Sequence, residues 1–121
     1  MTTPLEALER LDKLADKLGR LAALLAQCEE ELAPVEEKYQ RFVDEFDTGL
    51  WFRHVSEGAK LPSAELRCKL AHQEMSPELL GQRVGLLNAR VRLKDQIKIK
   101  AQEIDAWRSV LSALKTEALV G

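Results

Sequence analysis

This chain of 121 residues reads as all-α: two long antiparallel helices forming a coiled-coil hairpin, joined through a short connecting helix. Three observations predict it. First, Leu11, Leu14, Leu18, Leu21, Leu25, Cys28, Leu32, Val35, Tyr39, Phe42 and Phe46 form a heptad seam that no charged residue interrupts. Their spacing alternates three and four, which keeps one helix face against another helix along its length. Second, glycine and proline number only six and four, so little opposes helix. Third, no run alternates with the period of two that marks a strand.

The first helix is expected over about 4–56. Thr3 suits the N-cap, Pro4 the first helical position, and Glu6 the third residue of a capping box. Gly58 marks its C-terminal end. At about 1.5 Å per residue this helix spans roughly 80 Å. The seam keeps its phase through Pro34, which predicts a kink rather than a break. Ser63 can cap a second helix over about 63–73, and Ser76-Pro77-Glu78 opens a third over about 77–119. Its seam runs Leu79, Arg83, Leu86, Arg90, Leu93, Ile97, Lys100, Ile104, Trp107, Leu111, Leu114, Ala118, with Leu80, Val84, Leu87 and Val91 alongside. The short helix is expected on that flanking row. The whole of 1–121 reads as one domain.

Joining helix ends near 57 and 77 sets an expected register. It places Arg90 near Asp44, Gly81 and Gly85 beside Arg53 and Gly49, and 90–100 opposite 34–44. Charge supports that pairing. Residues 83–100 carry Arg83, Arg90, Arg92, Lys94, Lys98 and Lys100 against Asp95, net +5, whereas 29–47 carry eight acids and two bases, net −6. Facing charges of this kind select orientation in coiled coils. The competing reading of the basic stretch is a phosphate-binding stripe using Arg92, Lys94, Lys98 and Lys100. Arg83 and Arg90 lie inside the apolar arc, where they either snorkel to solvent or meet carboxylates at an interface.

Tyr39, Phe42, Phe46, Trp51 and Phe52 fall within fourteen residues. They make either a small core at the closed end of the hairpin or a partner-binding knob. Trp51, Phe52, Arg83 and Arg90 are the candidate partner-binding residues. The overall charge of −2 implies no bulk attraction to nucleic acid or anionic membrane. Cys28 sits in the seam, where a small buried thiol is expected, and Cys28 and Cys68 suggest no disulfide framework. No secretory leader is read and no apolar run approaches about 18 residues, so a cytoplasmic location without membrane contact is expected. His54 and His72 read as isolated. No phosphate-binding glycine loop, nucleophile motif or metal-ligand spacing is present, so no catalytic residue, metal or cofactor is expected.

Residues 107–118 resemble the C-terminal ends of small helical accessory proteins encoded by bacteriophages. The shared feature is the pattern Ser109-x-x-Ser112-Ala113-x-Lys115, over roughly the last tenth to third of the chain. The resemblance implies an accessory factor acting on host or phage DNA-metabolism or defence machinery. The expected function is that of a non-enzymatic coiled-coil adaptor, binding a protein partner and itself as a homodimer. A nucleic-acid-binding accessory factor using 83–100 is the alternative.

Overall fold

A computed structural model describes residues 2–120, with side chains through Leu119; Met1 and Gly121, the ends of the expected domain, lie outside the described residues. It contains three helices: α1, Pro4–Glu57; α2, Ala64–Glu74; and α3, Pro77–Val120. No strand occurs among the described residues.

The expected caps form. The Glu6 backbone N–H donates to Thr3 Oγ1 at 3.2 Å, Leu66 to Ser63 Oγ at 3.3 Å, and Leu79 to Ser76 Oγ at 3.1 Å. Each satisfies an amide that the helix start leaves without a carbonyl. Gly58 adopts φ +71°, and the Gly58 and Ala59 amides reach back to the Val55 and His54 carbonyls. This is the Schellman closure, which glycine makes without steric cost. Pro34 lies inside α1, which continues past it as one helix.

The seams face inward. All eleven α1 seam positions are buried or half-buried, and on α3 only Ala118 is exposed. Internal contacts group the chain into two compact units, each drawing on both long helices.

The terminal unit combines Met1–Cys28 with Ala89–Gly121. Its two helical segments run antiparallel: the Arg10 guanidinium lies 5.3 Å from the Trp107 ring centroid, and Lys17, Arg20 and Leu21 share a groove with Gln96, Ile99 and Lys100. Ala7, Leu14, Cys28, Ile104 and Leu111 are its buried centre.

The central unit is Glu29–Asn88. Here α2 lies back along α1, with Arg67 on Asp47 at 3.6 Å and His72 on Tyr39 at 2.7 Å. Next, α3 begins and brings Arg83 to Glu36. Leu32, Val35, Leu50, Ala71 and Met75 are buried.

This arrangement corrects the expected register. Arg83 meets Glu36 rather than the neighbourhood of Trp51, a displacement of about four helical turns. The cause is α2. It covers the stretch of α1 around Tyr39 and Asp47, so α3 starts further back along α1. Val84 and Val91 are exposed. Asp44 accepts a hydrogen bond from Gln40, one turn earlier on its own helix. A Cβ built at Gly49, Gly81 or Gly85 would meet nothing within 4 Å, so these glycines make no close approach to Trp51 or Phe52. The matching of 90–100 to 34–44 fails too, because Gln96, Ile99 and Lys100 lie beside Lys17, Arg20 and Leu21.

Candidate partner-binding surfaces

The central unit presents an apolar plate. Trp51 is 48% and Phe52 63% exposed, their rings meeting edge to face with centroids 5.1 Å apart. Asp47, Thr48, Leu61 and Arg67 complete a shallow groove around them. The five aromatics thus divide. Tyr39, Phe42 and Phe46 turn inward on the seam, whereas Trp51 and Phe52 lie on the solvent side of the same helix. An amphipathic aromatic pair held on a rigid helix is a suitable anchor for another protein.

Arg83, expected at the partner surface, is engaged within the unit. Its guanidinium stacks 3.8 Å from the Tyr39 ring centroid and pairs with the Glu36 carboxylate. Of the two readings left open by the sequence, Arg83 takes the carboxylate. Arg90 belongs to the terminal unit, is half-buried, and has no carboxylate partner among the described residues.

Tyr39 continues the cluster to α2. Its Oη and His72 Nε2 share a hydrogen bond of 2.7 Å, and Cys68 Sγ lies 3.8 Å from the same nitrogen. His72 is therefore an anchor joining α2 to α1. Burial raises the Tyr39 phenol above its ordinary value near 10, with Arg83 opposing that shift and Cys68 and Glu36 adding to it. A raised phenol favours the fold while neutral, so the associated stability is complete below about pH 10 and is lost as pH climbs through the folded value. Tyr39 is the only tyrosine. Ultraviolet titration should therefore show a single phenol ionising above the ordinary value, returning to it in denaturant. A native titration coincident with the denatured one would contradict the buried environment.

Sequence reasoning missed this cluster because Tyr39 and His72 stand 33 residues apart. The available signal was the four-residue spacing of Cys68 and His72, which puts both on one face of α2.

The terminal unit carries the basic stretch. Arg92, Lys94 and Lys98 are exposed, while Lys100 is half-buried with Nζ 3.2 Å from Glu103. Lys17 and Arg20 are also exposed and line one groove with Leu21, Gln96, Ile99 and Lys100. This unit holds 11 basic and 8 acidic side chains, the central unit 7 and 12.

Among the described residues no three His, Cys, Asp or Glu side chains converge on a common point, and neither cysteine is in a disulfide. No described helix is long and apolar enough to cross a membrane. Comparison with protein-family models, with curated proteins and with solved structures gives no match.

Proposed function

We propose that this chain is a non-enzymatic helical interaction protein that binds a second helical surface, beginning with another copy of itself. The carrying observation is the incompleteness of its packing. Among the described residues no large side chain is fully enclosed, yet Leu5, Leu24, Trp51, Phe52, Val55, Val84, Val91 and Ile99 each expose about half their surface or more. Single exposed apolar residues are ordinary, but a Trp-Phe plate beside a groove marks an interaction site. Neither cysteine is in a disulfide, which suits a reducing cytoplasm. Only the resemblance of 107–118 supports placing the protein among phage accessory factors.

Trp51→Ala combined with Phe52→Ala tests this reading. Both side chains face solvent, so the melting stability should stay within about 0.5 kcal/mol of the parent. Self-association in sedimentation velocity should weaken at least about tenfold, the effect of removing an aromatic anchor. Association unchanged in a folded double variant would remove the plate from the interface.

One observation favours the nucleic-acid alternative. The basic stretch lies beside Lys17 and Arg20 rather than an acidic segment, and Arg92, Lys94 and Lys98 face solvent. On that reading, charge reversal at Lys94, Lys98 and Lys100 lowers nucleic-acid affinity uniformly and flattens its salt dependence.

A further inference from the structure

We propose that the basic groove of the terminal unit, lined by Lys17, Arg20, Leu21, Gln96, Ile99 and Lys100, receives the acidic outer face of α1 from a second copy of this chain. The proposal rests on the self-association put forward above and adds a second, charged contact to the Trp51-Phe52 plate.

The groove has two components. Its rim is cationic: Lys17 and Arg20 are exposed and have no acidic partner among the described residues, while Lys100 is shared with Glu103. Its floor is apolar, with Leu21 half-buried and Ile99 52% exposed. A cationic rim over an apolar floor suits the side of an acidic helix, whose carboxylates meet the rim while its methylenes cover the floor.

The central unit carries a surface of matching character. Glu37, Gln40, Arg41, Asp44 and Glu45 line one exposed face of α1. Arg41 is already held by Glu37 at 2.9 Å, and Asp44 accepts from Gln40, which leaves Glu45 and the second oxygen of Asp44 to face outward. The sign segregation of the whole chain follows the same division, net +3 in the terminal unit and net −5 in the central one. Surfaces of opposite charge on one chain make it complementary to a second copy of itself.

A nucleic acid is the poorer occupant. Phosphates gain nothing from Leu21 and Ile99, and the groove has no aromatic side chain on which a base could stack.

Charge exchange between two variants tests the assignment. The first carries Lys17→Glu and Arg20→Glu; the second carries Glu37→Lys, Asp44→Lys and Glu45→Lys. Each variant alone faces like charge with like, so its self-association should weaken at least about tenfold in low salt. An equimolar mixture restores opposite charge at both contacts and should recover the parent's assembly. Circular dichroism checks folding, and Lys17→Gln with Arg20→Gln serves if the reversal unfolds the chain, with a weakened association again expected. If both variants associate like the parent, the docking assignment is overturned and self-association stands. If the parent itself stays monomeric, both fail. If the first variant keeps the parent's mass but loses binding to a DNA or RNA oligonucleotide that the parent holds, the groove belongs to nucleic acid and the assignment is overturned.

Discussion

Leu32→Asp should unfold the central unit under conditions where the parent is fully helical. Leu32 is only 3% exposed and lies on the same seam as Val35, which is 4% exposed. Its side chain contributes about 1.5–3 kcal/mol through burial. A carboxylate there must either stay charged in an apolar contact or take up a proton. The combined loss is about 4 kcal/mol or more, comparable to the whole stability of a small domain. A half-buried seam position such as Leu25 should give a smaller effect, because its side chain keeps access to water. Thermal melting by circular dichroism checks the series. A Leu32→Asp protein melting with the parent would show that the seam is not a buried interface.

Arg83→Ala should destabilise the central unit by about 1–2 kcal/mol, the sum expected from one stacked cation and one charge-assisted pair. The substitution takes away both contacts together and leaves the Glu36 carboxylate, itself less than half exposed, without its partner. Arg83→Lys should recover only part of the loss. An ammonium can still approach Glu36, but it lacks the planar face that lies over Tyr39 and the fork that meets a carboxylate side-on. Denaturant titration of the two variants gives the comparison. Equal stability of parent and Arg83→Ala would mean that the pair contributes nothing to register.

Helix identity and ends were legible from sequence. The seam period marks α1, and Thr3, Ser63, Ser76 and Gly58 act within one turn of chain, so every boundary falls within a residue of its expected place. Register was not legible. It depends on where α2 rests, and the α2 sequence AELRCKLAHQE has only Ala71 fully buried, with no apolar stripe to say which helix it covers. His72 finding Tyr39 and Arg67 finding Asp47 decide the matter, and both are polar contacts between distant residues. The same gap explains the fate of the charge argument. The opposite nets of 83–100 and 29–47 were real, but charge balance does not specify height along a helix, and the displaced register sets Lys17 and Arg20 beside Lys100 instead. The candidate partner-binding residues divide by exposure. Trp51 and Phe52 are exposed as a partner knob requires, whereas the arginine at 83 serves the fold.

Sedimentation equilibrium of the unaltered protein, over a hundredfold range of concentration and at low and high salt, tests the central claim most directly. The account predicts a mass approaching twice the 13.7 kDa of one chain at the upper concentrations, with salt shifting the equilibrium towards the single chain as charge attraction is screened. A mass of one chain at every concentration in low salt would contradict it.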